Sequence, residues 1–222
     1  MFPAARAGIL AVVSNPAATE WRVEVTAMQR LRDLFDHEFK AMYYTEHKLS
    51  QALLEMVQES TAPEIKGAFH KHWIETQAQV ERLDMAFNIL GDIPTSAMSL
   101  GVDGLVNEKK SFTTEAPPPV LLDLYNLTAG VKSERLEISG YEGLIPVAQQ
   151  LGMPRVVELL RANLREEEDT LRVLVGLRNG YDMRALGGTP MPGSSEPGFD
   201  AQVADERPGS NVQYGNLARG VI

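Results

Sequence analysis

From Phe69 to Phe87 the chain reads FHKHWIETQAQVERLDMAF. Phe69, Trp73, Thr76, Val80, Leu83 and Phe87 recur at steps of three and four, which places them on one face of a helix. At the edge of that face stand His72, Glu75 and Gln79, groups able to bind a metal. A helix with so long an apolar stripe must bury it against other helices, and polar groups carried inward with it need partners. The pattern therefore demands an α-helical assembly with something polar at its centre.

Three more segments carry stripes of the same kind. Leu31, Phe35, Met42, Leu49, Leu53 and Met56 trace a first helix of about 30 residues. It stops at Thr61-Ala62-Pro63, where Ser60 or Thr61 is placed to cap the second helix and Pro63 suits its first turn. Gly91 suits the C-terminal cap of that second helix. Leu124, Leu127, Val131, Ile138, Tyr141 and Ile145 mark a third helix, ended by Leu151-Gly152-Met153-Pro154. Val156, Leu160, Leu164, Leu171 and Leu174 mark a fourth. Between the two hairpins, residues 92–118 lose the period and read as a long crossover with one short helix around Gly104 to Lys110. Two short turns and one long middle connection predict an all-α, ferritin-like antiparallel four-helix bundle, with the crossover between its second and third helices. We assign residues 1–25 to a flexible leader, 26–179 to the bundle and 180–222 to a Gly/Pro-rich tail without a fold of its own.

Each predicted stripe carries an acid. Glu46 falls between Met42 and Leu49, Glu134 between Val131 and Ile138, and Glu167 between Leu164 and Leu171. The second helix offers Glu75, Glu137 flanks Glu134, and Glu38 is expected to point inward before Glu46. Height can be read from the turns, because residues equally far from an antiparallel turn share a level. Glu46 and Glu75 are equidistant from the Ser60-Thr61 turn, and Glu134 and Glu167 from the Gln150-Leu151 turn. Hairpins packed in register would bring four carboxylates into one layer. Such groups must be protonated, paired with cations or bound to metal. Oxygen donors from four helices suit two ions of iron or manganese better than zinc.

Composition narrows the remaining classes. The 222 residues include no cysteine, which excludes disulfides and thiolate-held metal, and a net charge of −9 argues against sequence-independent nucleic-acid binding. No apolar run reaches the length of a membrane span; Ala7 to Val13 is apolar but short. A cytoplasmic location is the expectation.

The segments LRDLFDHEFKAMYYTEHKLSQAL and FHKHWIETQAQVERLD resemble the first two helices of the YciE/YciF ferritin-like family, a stress-associated bacterial group. ERLEISGYEGLIPVAQQLG and LLRANLREEEDT resemble its third and fourth, so the resemblance runs over about 27–178 in order and spacing. It implies a dimeric or higher homo-oligomeric bundle with a di-metal centre held by Glu46, His72, Glu75, Glu134, Glu137 and Glu167. The chain departs from the family at Arg135, where His is common, and at Leu171, where Asp is common. Gln79 stands at a Gln-or-His position, and the Glu-x-x-His pairs of many di-iron proteins are absent from the second and fourth helices.

Two functions stay open on the sequence. One is an iron or manganese centre reacting with O2 or peroxide. The other is a non-enzymatic structural or assembly bundle whose acidic layer is neutralised by Arg135, His72 and protons. The mildly apolar end of the tail, Val212 to Ala218, could dock on a neighbouring subunit.

Overall fold

The computed structural model describes residues 28–181, together with Leu186. The expected leader (1–25) and, apart from Gly180, Tyr181 and Leu186, the expected tail (180–222) with its docking segment lie outside the described residues. Among the described residues five helices follow in order: α1 (Leu31–Glu59), α2 (Pro63–Leu90), α3 (Leu100–Thr114), α4 (Pro119–Gln150) and α5 (Pro154–Asn179). The long four form the bundle, with α1 beside α2 and α4, and α5 beside α2 and α4. Every neighbouring pair runs antiparallel, and α2 and α4 run parallel across the diagonal. Joining two parallel helices requires the chain to return the length of the bundle, and the α3 crossover does this.

The core divides along the bundle axis. At one end Phe35, Phe39, Leu83, Phe87, Leu144 and Leu160 belong to one apolar cluster. At the other, Leu53, Met56, Ile65, Phe69, Leu127 and Leu174 form a second. The polar layer lies between them.

Several local expectations are corrected. Neither Ser60 nor Thr61 caps α2 with its side chain; Ser60 Oγ donates back to the Met56 carbonyl at 2.6 Å. The turn is held from α4 instead. Asp123 Oδ1 accepts from Thr61 N–H at 2.9 Å, and Oδ2 accepts from Thr61 Oγ1 at 2.6 Å and Ala62 N–H at 3.0 Å. A carboxylate on orphan N–H groups at a helix start is favourable in charge as well as hydrogen bonding. This contact also fixes the register of the second hairpin against the first. Gly91 caps α2 as expected, in the left-handed conformation at φ 73°.

The crossover helix is longer than expected. Gly101 and Gly104 lower its intrinsic propensity, but packing overrides them. Val102, Val106 and Lys109 bury one face of α3. Lys109 Nζ reaches Glu59 Oε1 at 2.7 Å, and Tyr44 and Lys48 of α1 hold Asp103 at 2.9 and 2.8 Å. In α2 the buried face is rotated from the expected one. Ile65, Phe69, His72, Thr76, Gln79, Leu83 and Phe87 are buried, while Trp73 and Val80 are half-buried. Leu31 and Glu38 of α1 are exposed, and Phe39 takes the inward place assigned to Glu38.

Candidate metal centre

The buried polar layer draws on all four long helices. Met42 and Leu49 carry Glu46 inward on α1, and Phe69 and Thr76 carry His72 inward on α2. Glu134 and Glu137 stand one turn apart on α4, and Glu167 lies between Asn163 and Thr170 on α5. Glu46, Glu134, Glu137 and Glu167 are each 0% exposed, and His72 is 2% exposed. His72, Glu134, Glu137 and Glu167 each offer a ligand atom within 4.8 Å of the others, so this cluster could hold a metal ion.

The donors are unsatisfied in a telling way. One oxygen of Glu46, both oxygens of Glu134, Glu137 and Glu167, and Nδ1 of His72 are buried without a hydrogen-bond partner. His72 Nε2 lies 2.9 Å from Glu134 Oε1, but off the line a hydrogen bond requires, so proximity here is not satisfaction. Native cores rarely leave such groups unpaired, and a cluster of them marks a site built for an ion or water.

Electrostatics gives the same reading. Burial pushes the Glu134 carboxyl up to about 8, with the charges of Glu46 and Glu75 adding to the effect and contact with Glu167 opposing it. Burial, then the neighbouring carboxylates, drives Glu137 well above the usual range. Glu46 moves the same way through burial and the charge of Glu167, and Glu167 through burial and the charge of Glu134. Four carboxylates in one dry layer cannot all ionise without cations. Arg135 does not supply one: its side chain is exposed on the outer face of α4, which removes the ion pair expected from sequence.

Glu75 stands apart from this cluster. Its side chain is 22% exposed and pairs with Lys71 on its own helix, while Thr170 Oγ1 lies 3.5 Å from its Oε2. The rotation of α2 that buries His72 and Gln79 carries Glu75 to the rim.

Sequence reading missed the support around Glu46. Tyr141, fully buried, donates its phenol O–H to Glu46 Oε1 and accepts from Asn163 Nδ2 at 2.8 Å. Asn163 is buried too, and its Oδ1 accepts from Arg82 at 2.9 Å. A polar residue such as Asn163, spaced seven and four residues from Val156 and Glu167 on the buried face, was the available signal.

The family model described as Domain of unknown function (DUF892) matches residues 30–181. Protein YciF of Escherichia coli K12 is 28% identical over 144 residues, covering 64% of this chain and 87% of that protein. The crystal structure of that stress protein superposes with a TM-score of 0.65 at 26% identity, covering 73% of this chain and 100% of the other. YcfI of Rhodopseudomonas palustris gives a TM-score of 0.65 at 32% identity, over 66% of this chain and 94% of that one. A two-domain protein of Anabaena variabilis that contains a ferritin-like domain matches at 16% identity and TM-score 0.50, over 78% of this chain and 42% of its own. At that identity the likeness concerns the fold alone, and it agrees with the all-α ferritin-like bundle.

Proposed function

Because the chain belongs to the DUF892 family of YciF-like proteins, we propose that it is a stress-response ferritin-like bundle whose buried layer holds two iron or manganese ions that react with O2 or peroxide. The observation that carries this reading is the set of fully buried, unpartnered carboxylate oxygens beside His72, with no lysine or arginine in the cluster. In this reading Glu134, Glu137, Glu167 and His72 bind the ions, Glu46 closes the set from α1, and Glu75 stands at the rim.

Bound ions would supply the electrons that reduce the oxidant. The chain supplies the surroundings. Oxygen-rich donors favour the oxidised state of iron and can change between one-metal and bridging attachment. Tyr141 keeps a proton on its phenol oxygen, since burial pushes that group up, and with it holds the orientation of Glu46. The two apolar clusters exclude bulk water from either end, which strengthens each electrostatic interaction in the layer. A homodimer completes the proposal, supported by the family resemblance and by exposed Ile74, Met85 and Ile89 along α2.

A structural bundle is the second reading. It draws on the relative YcfI, whose description as a structural protein is itself provisional, and on the missing Glu-x-x-His pairs. It requires the buried carboxyls to be held protonated. Metal content by mass spectrometry after aerobic purification, followed by Fe(II) oxidation in wild type and in Glu134→Gln plus Glu167→Gln, separates the two. Bound metal and oxidation lost in the double variant are expected; wild-type protein that neither binds nor oxidises Fe(II) sinks the redox reading.

A further inference from the structure

A buried centre needs a way in. The α1–α4 seam is sealed by α3, where Val102 and Val106 pack with Leu49, Ala52 and Leu136. The α1–α2 seam is bridged by hydrogen bonds from Gln77 to Ser50 and from Tyr43 to Asp84. The α2–α5 seam is different.

There Gln79 is 0% exposed, and its Nε2 donates to Glu166 Oε2 at 3.2 Å while its Oε1 has no partner. Glu166 precedes Glu167 on α5 but turns toward the surface, its side chain 27% exposed. Arg82 clamps it through NH1 at 2.7 Å and NH2 at 2.6 Å. One turn along α2 from Gln79, Glu75 is similarly half-buried beside Thr170 and is held by Lys71. Both rim carboxylates act on the buried ones: the charge of Glu75 is felt at Glu134, and that of Glu166 at Glu46 and Glu167.

We propose that Glu75, Gln79 and Glu166 form an access site for a divalent cation, through which the ion exchanges its water for protein oxygens on the way to the buried centre. The proposal rests on the metal-centre reading above. A hydrated divalent ion cannot enter an apolar bundle bare, because removing all its water at once costs too much. A half-buried carboxylate at each lip, followed by the unpartnered amide oxygen of Gln79, divides that cost into steps using the oxygen donors hard cations prefer. Arg82 and Lys71 neutralise the two lips while no ion is there, and the arriving cation displaces them.

The test is stopped-flow uptake of Co(II), followed by its visible absorption in the full-length protein, with binding at saturation measured alongside. Glu166→Gln can keep one acceptor oxygen toward Gln79 and Arg82 NH1, and loses the charge together with the Arg82 NH2 bond. It is expected to slow association at least 5-fold and flatten its salt dependence, with unchanged metal per chain at saturation. Arg82→Gln frees Glu166 and is expected to accelerate uptake. Glu168→Gln, the same charge change on an exposed position of α5, is expected to leave the rate unaltered. The access site is overturned if Glu166→Gln binds at the wild-type rate, if Glu168→Gln slows uptake equally, or if Glu166→Gln lowers the metal bound at saturation. Wild-type protein that takes up no Co(II) overturns the centre itself and the route with it.

Discussion

Removing metal from this bundle should make its stability depend on pH in a direction opposite to that of most acidic proteins. The perturbation is exhaustive chelation followed by urea unfolding between pH 5 and 8. Glu134 is raised from 4.5 to about 8 in the folded protein, chiefly by burial. A raised acid binds its proton more tightly when folded, so its contribution is complete below the unfolded value and disappears as pH rises through the folded one. Each proton retained by the folded chain lowers stability by about 1.4 kcal/mol per pH unit across that window. For Glu134 alone the loss between pH 4.5 and 8 is about 4 kcal/mol. Glu46, Glu137 and Glu167 shift in the same direction. A domain holds about 5–15 kcal/mol in total, so the effect is large. Asp33, held down to about 2 by Arg30, acts below this window and does not mask it. Circular dichroism should show the metal-free protein most stable near pH 5 and weakening toward pH 8. Mn(II) should restore stability at pH 8, by about 4 kcal/mol at a thousandfold excess over Kd. Glu134→Gln should flatten the metal-free slope. Metal-free protein that gains stability from pH 5 to 8 and ignores Mn(II) would refute the reasoning.

Two further outcomes follow from named contacts. Asp123→Ala removes three hydrogen bonds that tie α4 to the α1–α2 turn and should cost about 3 kcal/mol, lowering Tm by about 6–12 °C in thermal unfolding. Tyr141→Phe deprives Glu46 of its buried donor. It should weaken metal affinity about 10–100-fold by calorimetric titration, while the far-ultraviolet spectrum of the helices is unchanged.

Much of the bundle was legible because burying a helix stripe leaves a three-and-four periodicity, and the two turns set the heights. That reasoning found Glu46, Glu134 and Glu167, all of which are fully buried. It misjudged α2 for a physical reason. His72 and Gln79 occupy its buried face, and polar residues there make the face look like its own edge, shifting the apparent centre toward Trp73 and Val80. Glu38 was misplaced because eight residues turn a helix by about 80° past two full turns, enough to move a side chain from core to surface. The cap from Asp123 could not be read locally, since it acts across 62 residues of sequence. The Tyr141–Asn163 support was hidden for a similar reason: its partners meet only after α4 and α5 pack.

The central claim is that an ion belongs among His72, Glu134, Glu137 and Glu167. Anomalous diffraction from crystals of aerobically purified protein, collected on both sides of the iron and manganese absorption edges, tests it most directly. Two peaks are expected in the buried layer, within bonding distance of these side chains and of Glu46, and both should vanish in Glu134→Gln plus Glu167→Gln. A layer without anomalous signal after soaking in Fe(II) or Mn(II), its carboxyls bonded only to one another, would contradict the claim.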